Sequence, residues 1–165
     1  MKIATFNIGQ YKFIDYTQLP ESLHKQVYVA RISDTIRNQM VNSELFSYED
    51  HLRFVSSLNY IKEKVYWAVC EKDLFLLSIN LHPVNWNEKW GEWGIYINPH
   101  YEGKKIAQNI SKAFLKYMAK NTSLEIIKAK VKLDNLRSIH FHQVIGFTIV
   151  FKDELFVYMN NKLIK

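Results

Sequence analysis

Apolar residues recur at the three-to-four-residue spacing of amphipathic helices in four parts of the chain. The first helix begins after Pro20, a residue that suits a helix start. The second follows Ser47, whose spacing to Asp50 is that of a capping box. The third runs from about 104 to 120, and a shorter fourth helix is predicted for 135–144. The chain is therefore expected to contain about four helices.

Strand-like runs, rich in β-branched and aromatic residues, fill much of the remaining sequence. Three of them, at 65–71, 74–82 and 92–98, are separated by turn-like breaks and predict an antiparallel meander. The other predicted strands cover 2–6, 13–16, 125–133, 147–152 and 154–160. Strands and helices follow one another in an order typical of a mixed α/β, or α+β, domain.

The length of 165 residues is that of one domain, and neither a repeat nor a Gly/Ser-rich linker divides it. We therefore predict a single domain over residues 1–165. Hydrophobic residues make up 48% of the chain and charged residues 23%, which is typical of a soluble globular protein. No apolar run approaches the ~20 residues that a membrane span requires, so we expect no membrane association.

Charge and cysteine content indicate the kind of partner and the cellular compartment. The formal net charge of +6 and the pI near 9.3 favour an anionic partner. The lysines are spread out, and neither a clustered basic face nor an RNP-like aromatic pattern points to nucleic acid. Cys70 is the only cysteine, and the N-terminus lacks the apolar segment of a secretory signal. We therefore expect a cytoplasmic protein.

The connection between the meander and the long helix has the features of an anion site. Backbone N–H groups at 103–107 are predicted to be unpaired and to lie at the positive end of the helix dipole. Gly103 permits close approach of a ligand to the backbone, and Lys104 and Lys105 add positive charge. A pyrophosphate fits such a site. Most connections of this kind bind nothing, so a second motif is needed to support the interpretation.

That second motif lies at the start of the fourth helix. It consists of Asn135, Ser138, Ile139, Phe141, Gly146 and Phe147. Together, the two segments resemble the two signature motifs of the GNAT superfamily of N-acetyltransferases, which bind acetyl-CoA. The resemblance covers about residues 65–150 and extends to the order of elements. It implies a mixed, mostly antiparallel sheet of about seven strands flanked by about four helices, with acetyl-CoA as cosubstrate and no metal.

The resemblance also assigns cofactor contacts. The family loop pattern, R-G-x-G-x-A, falls on Glu102, Gly103, Lys105 and Ala107, so the first basic residue and the second glycine are replaced here. Asn135 is expected to bond the pantetheine arm, and the strand before the loop to pair with it through its backbone. The implied cofactor-binding residues are Ile95, Tyr96, Ile97, Gly103, Lys104, Lys105, Ile106, Ala107, Asn135 and Ser138.

Acetyl transfer needs a neutral amine, donors for the oxyanion and a proton for the departing thiolate. The family commonly places a tyrosine beside the thiol, and the matching residue here is His142. Our hypothesis is that His142 acts as general acid or thiol hydrogen-bond donor; the alternative is a packing or solvent-facing side chain. Glu92 matches a glutamate of the ribosomal-protein acetyltransferase branch and is the candidate general base. The alternative for Glu92 is a rim charge, with water as the base.

The N-terminal third resembles the N-acetyltransferases of pseudaminic acid biosynthesis, which acetylate the 4-amino group of a UDP-linked amino-deoxy sugar. An arginine at the end of the first helix, Arg31, and a histidine on the second, His51, carry this resemblance. It implies that both contact the uridine diphosphate, since a guanidinium pairs well with phosphate. The alternatives are a cation favoured by the helix dipole for Arg31 and a surface residue for His51.

Two other functions remain open at this stage. One is a peptide N-acetyltransferase of the ribosomal type, favoured by the strand that carries Glu92. The other is a coenzyme-A-binding sensor or adaptor, favoured by the altered loop and the missing tyrosine. The sequence also leaves open whether the active unit is a monomer or a homodimer.

Overall fold

Residues 4–165, which the computed structural model describes, form one sheet of eight strands and five α-helices. The strands are β1 (Phe6–Ile8), β2 (Tyr11–Asp15), β3 (Val65–Glu71), β4 (Leu74–Asn85), β5 (Trp90–Ile97), β6 (Ile126–Lys132), β7 (Thr148–Lys152) and β8 (Phe156–Lys162). Their spatial order is β1-β2-β3-β4-β5-β6-β8-β7. The predicted meander is confirmed, since β3, β4 and β5 pair antiparallel. Of the strand predicted at 2–6, residues 2 and 3 lie outside the described residues.

The helices are α1 (Glu21–Ile32), α2 (Asp34–Arg37), α3 (Tyr48–Ser57), α4 (Ile106–Asn121) and α5 (Leu136–Val144). The predicted capping box of α3 is confirmed, because the Ser47 side chain accepts from the Asp50 N–H while the Asp50 carboxylate accepts from the Ser47 N–H. The single turn α2 was not predicted. Within residues 4–165, no helix is long and apolar enough to cross a membrane.

Two apolar cores lie on opposite faces of the sheet, because successive strand residues point to opposite sides. On β3, Trp67 and Val69 join the core covered by α4, whose Phe114 is fully buried. Ala68 and Cys70, on the other face, join the core that contains residues of α1, α2 and α3. The helices thus hold the sheet on both sides, and the site forms where the sheet itself opens.

The sheet opens between β5 and β6, which are its one parallel pair among the described strands. They pair at three positions only, Trp90 with Ile126, Gly91 with Ile127 and Glu92 with Lys128. Beyond Glu92, β5 stays paired with β4 up to Ile97, and β6 stays paired with β8. The two strands therefore separate, and the gap between them is bordered by main chain.

Candidate active site

Two cavities meet at the gap between β5 and β6. The large cavity has a volume of about 680 Å³ and reaches from α1 and α3 across β4 and β5 to β6. The loop groove has a volume of about 320 Å³ and follows the segment before α4. Both are lined by Gln39, Met40, Ile95, Tyr96, Asn135 and Ser138. A ligand in the groove can therefore present one end to a second ligand in the large cavity.

The loop groove combines exposed lysines with free backbone donors. Gly103 adopts a φ of +73°, which favours glycine, and it lines the groove with Lys104 and Lys105. Lys105 is the N-cap of α4, and neither a side-chain cap nor an acidic residue occupies the first turn. The start of α4 is thus open to an anion. Ile106, the first residue of α4, packs against the core, and Ala107 is buried.

Glu102 lies in the same groove but is partly neutralised. Its carboxylate is 3.5 Å from the guanidinium of Arg137, which also lines the groove. The Glu102 charge at the first position of the altered loop motif therefore has a cationic partner across the groove.

The gap itself is lined by the distal part of β5 and by the start of α5. Ile95, Tyr96 and Ile97 lie on β5 beyond its last pair with β6. Asn135 caps α5, since its side-chain oxygen accepts from the Ser138 N–H at 3.1 Å. Its side-chain NH₂ remains available as a donor.

His142 is buried at 4% exposure, and both of its ring nitrogens contact neighbouring groups. Trp93 Nε1 donates to His142 Nε2 at 3.0 Å. Because an indole N–H only donates, Nε2 is the acceptor and the ring proton lies on Nδ1, which is 2.7 Å from the Ser138 carbonyl oxygen. Burial lowers the pKa of His142, and the bond to Ser138 offsets this in part. The ring is therefore neutral near pH 7.

This arrangement bears on the general-acid hypothesis without testing it. To act as an acid through Nε2, His142 must carry a second proton that faces the Trp93 N–H. To act through Nδ1, it must leave the Ser138 carbonyl. Either route breaks a buried hydrogen bond. His142 does line the large cavity, so its role as a donor stays a prediction.

Glu92 stands where β5 and β6 separate, half-buried in the wall of the large cavity. Burial raises the pKa of its carboxyl group, while the nearby Lys130 and Lys128 lower it. A raised carboxyl pKa makes Glu92 a better proton acceptor than an exposed glutamate.

Arg31 lies at the other side of the large cavity with part of its guanidinium unsatisfied. Its Nη2 donates to the Asn42 carbonyl oxygen at 3.0 Å. Its Nη1 is buried and has no hydrogen-bond partner within residues 4–165. A buried cationic donor without a partner is costly, which favours an anionic ligand at this position.

His51 also lines the large cavity, and it is only 4% exposed. Its Nε2 is 3.2 Å from Nδ1 of His24, and the rings of Tyr16, Tyr28 and Tyr48 surround it. Burial, with a smaller effect of His24, lowers the pKa of His51 to about 4. His51 is therefore neutral near pH 7 and is not a surface residue.

Sequence reasoning missed Lys130, Lys132 and Tyr16 among the residues of the large cavity. Lys130 and Lys132 line it because β6 diverges from β5, whereas the alternating lysines of this strand had been interpreted as a solvated face. The Tyr16 hydroxyl lies 2.6 Å from Ser78 Oγ and 3.0 Å from the Tyr96 hydroxyl. The alternation was a usable signal for the lysines, but no local pattern connects the hydroxyl groups.

Taken together, the site has an anion-binding groove, a main-chain gap and a large cavity with more cations than carboxylates. Its charged lining residues are Arg31, Lys130, Lys132, Asp50 and Glu92. Within residues 4–165, no cluster of His, Cys, Asp and Glu has the arrangement of a metal site. These features suit the transfer of a group between two ligands, at least one of them anionic.

Comparison with known proteins identifies a family of group-transfer enzymes. The family model described as "Acetyltransferase (GNAT) domain" matches residues 17–148. Acetyltransferase PseH of Campylobacter jejuni strain 81-176 is 29% identical over 122 residues, which cover 74% of this chain and 75% of the relative. PseH of strain NCTC 11168 is 28% identical over the same coverage.

Solved structures support the fold. The crystal structure of Campylobacter jejuni N-acetyltransferase PseH in complex with acetyl coenzyme A has a TM-score of 0.74 and 24% identity, covering 92% of this chain and 98% of that one. Spermidine N-acetyltransferase from Vibrio cholerae has a TM-score of 0.82 at 15% identity, covering 94% and 97%. The predicted fold class is confirmed, although the sheet of residues 4–165 has eight strands, not about seven, and five α-helices of the same range flank it. The chain belongs to the GNAT family of acetyltransferase domains.

Proposed function

We propose that this enzyme transfers the acetyl group of acetyl-CoA to the 4-amino group of a UDP-linked amino-deoxy sugar. The observation that carries the proposal is the meeting of the loop groove and the large cavity at the gap, with Tyr96 in the wall of both. The curated relatives named PseH, at 29% and 28% identity, support the same substrate class.

The loop groove is the proposed site of acetyl-CoA. Its pyrophosphate lies at the start of α4, near Gly103, Lys104 and Lys105, where unpaired N–H groups and two cations face it. The pantetheine arm enters the gap and pairs with the backbone of β5 at 95–97, and the side-chain NH₂ of Asn135 donates to it. The thioester then lies where the two cavities meet.

The reaction is a direct attack of the amine nitrogen on the thioester carbonyl carbon. Glu92 takes a proton from the ammonium group, directly or through water, so that a free lone pair attacks. Main-chain N–H groups of β5 stabilise the oxyanion. Collapse of the tetrahedral intermediate breaks the carbon–sulfur bond, the nitrogen gives up its second proton to water, and the thiolate leaves with a proton from water or from a doubly protonated His142.

The large cavity is the proposed site of the nucleotide sugar. Arg31 offers its unpartnered Nη1 to the diphosphate, and His51 lies on the adjacent helix. Lys130 and Lys132 add positive charge near the gap. With Arg31, they outnumber the two carboxylates of the cavity, Asp50 and Glu92, so the cavity favours an anionic acceptor over a polyamine.

The first test is calorimetric titration with UDP, followed by acetyl transfer from acetyl-CoA to a UDP-4-amino sugar. We expect the protein to bind UDP and Arg31→Ala to weaken binding at least about tenfold, the effect of losing a hydrogen bond to a charged group. Lys25→Ala is the matched control, because Lys25 is an exposed cation on the same helix as Arg31, pairs with Glu21 and does not line the cavity.

Other outcomes would redirect the assignment. Turnover of a basic peptide without UDP binding would identify a ribosomal-type enzyme. Binding of coenzyme A with no transfer to any acceptor would identify a sensor. If the reaction uses Glu92, Glu92→Gln lowers kcat and leaves UDP affinity unchanged.

A further inference from the structure

A pair of buried histidines forms part of the wall of the large cavity. His24 on α1 and His51 on α3 are 9% and 4% exposed, and His24 Nδ1 is 3.2 Å from His51 Nε2. Of these two histidines, His51 lines the cavity and His24 does not. His24 is therefore one layer behind it, in contact with the very ring that the nucleotide is proposed to meet.

Both rings are neutral near pH 7. Burial lowers the pKa of each, and His24 further lowers that of His51. Two neutral rings joined through Nδ1 of His24 and Nε2 of His51 share a single proton across the contact. Either His24 donates and the His51 proton lies on Nδ1, or His51 donates from Nε2 and its Nδ1 is an acceptor.

The direction of the His24–His51 hydrogen bond decides whether the other ring nitrogen of His51 donates to a ligand or accepts from it. His51 Nε2 is in contact with His24, so Nδ1 is the ring nitrogen left for a ligand in the cavity that His51 lines. The proposed ligand also has ribose hydroxyl and uracil N–H groups that donate, but the unpartnered Arg31 Nη1 in the same cavity favours its charged end, whose phosphate oxygens only accept hydrogen bonds. A neutral ring can donate to them only if its proton is on Nδ1, and burial prevents the alternative of a doubly protonated ring.

We propose that His24 is a positioning residue that donates from Nδ1 to His51 Nε2 and so holds the His51 proton on Nδ1, where it is donated to an oxygen of the UDP moiety. This rests on the proposed function, because it names the acceptor site of that reaction. His24 thereby gives a neutral histidine the capacity to bind an anion.

The first experiment measures the tautomers directly. Long-range ¹H–¹⁵N spectra of the uniformly labelled protein at neutral pH, assigned with single His24 and His51 variants, distinguish a protonated ring nitrogen from an unprotonated one. We expect protonated Nδ1 in both residues. A His51 ring protonated at Nε2 would overturn the proposal, whether or not UDP binds.

The second experiment uses a conservative rescue. The carboxamide of His24→Asn reaches the position of Nδ1 and keeps an N–H donor, whereas His24→Leu does not. We expect His24→Leu to raise the Kd for UDP about tenfold, the size of one charge-assisted hydrogen bond, and His24→Asn to stay within about threefold of the wild type. The KM for acetyl-CoA should not change in either variant, since a general loss of structure would affect it too.

A double-mutant cycle completes the test. If His24 acts through His51, His24→Leu weakens UDP binding in the wild-type background and has no further effect in a His51→Phe background. Equal losses in both backgrounds, or equal affinities of the Leu and Asn variants, contradict the positioning role. A wild-type protein that does not bind UDP refutes the proposed function instead, and the tautomer spectra still decide the direction of the His24–His51 bond.

Discussion

At the residue scale, the protonation of the histidines in this site depends on their burial and on their hydrogen-bond partners. His142 is predicted from the sequence to be a proton donor, yet its two ring nitrogens are bonded to Trp93 and Ser138. His51 had been interpreted as either a nucleotide contact or a surface residue, and it is a buried ring enclosed by tyrosines. The same residue type therefore has a different protonation and reactivity from that expected in water.

Replacing His142 by phenylalanine keeps an aromatic ring but removes the acceptor of the Trp93 N–H. We expect a loss of about 1–3 kcal/mol in the free energy of unfolding, the cost of leaving a buried donor unsatisfied. Urea titration measures it. His140→Phe is the control, since His140 is exposed on the same helix and should change stability by less than about 0.5 kcal/mol.

Equal unfolding midpoints for the His142 and His140 variants would contradict the structural role of the Trp93 bond. The same His142 variant tests the general-acid hypothesis, which predicts a lower kcat with little change in acetyl-CoA affinity.

The sequence named several of these residues but not their bonds. Motif spacing identified His142, Asn135 and Glu92 because each has a fixed position relative to a strand or helix end. The Trp93 bond joins residues 49 positions apart, and no local pattern specifies such a contact. The contact of His24 with His51 joins two different helices, so hydrophobic periodicity could not predict it either.

At the element scale, the start of α4 depends on one backbone conformation. Gly103 has a φ of +73°, and a Cβ there would meet nothing within 4 Å, so alanine is opposed by backbone strain and not by a clash. Gly9, with a φ of +58° and equally open space, lies in the β1–β2 turn and does not line the groove. The two glycines therefore form a matched pair.

We expect Gly103→Ala and Gly9→Ala each to lower stability by about 1–2 kcal/mol, the cost of a left-handed conformation for a residue with a Cβ. Only Gly103→Ala should raise the KM for acetyl-CoA, because it alters the loop proposed to bind the pyrophosphate. Urea titration and initial-rate kinetics measure the two effects. An unchanged KM in Gly103→Ala would contradict the assignment of the groove.

The capping box of α3 fixes the first turn of the helix that carries His51. Ser47→Ala removes the cap and should lower stability by about 1 kcal/mol. Ser56→Ala, at an exposed position of the same helix, should be neutral or slightly stabilising, because alanine favours helix more than serine. A similar loss in both variants by urea titration would show that the cap contributes nothing of its own.

Most elements were predictable because their patterns are long enough to read. The capping box, the meander and α4 appeared within a few residues of their observed bounds. The helix α2, Asp34–Arg37, was missed because four residues cannot display a helical period. The opening of the sheet was not predictable from composition, since β6 has the same alternation whether or not its far end is paired.

At the scale of the whole molecule, three buried histidines make stability depend on pH. Burial lowers the pKa of His24, His51 and His142, that of His51 to about 4. In the unfolded chain, histidine titrates at about 6.5. Below that value the unfolded state binds more protons than the folded state, so the free energy of unfolding falls as the pH falls. Glu92, whose pKa is raised, acts in the opposite direction.

We expect stability to be nearly constant between about pH 7 and 8 and to decline from about pH 6.5 to 5, by up to about 1.4 kcal/mol per pH unit for each histidine. Urea titrations across this range measure the slope. His142→Phe should reduce it, whereas His140→Gln should not, since His140 is exposed. A stability that does not change between pH 7 and 5 would show that the buried rings are protonated in the fold.

The separation of β5 and β6 after three paired positions has a consequence for how this enzyme can diverge. The proposed donor site depends on main-chain groups of β5, which every sequence possesses, and on one permissive loop. The proposed acceptor cavity is lined largely by side chains of α1, α3 and β6, together with Glu92 and His142. Substitutions in the cavity that spare these two residues can therefore change what is acetylated and leave the proposed donor site unchanged.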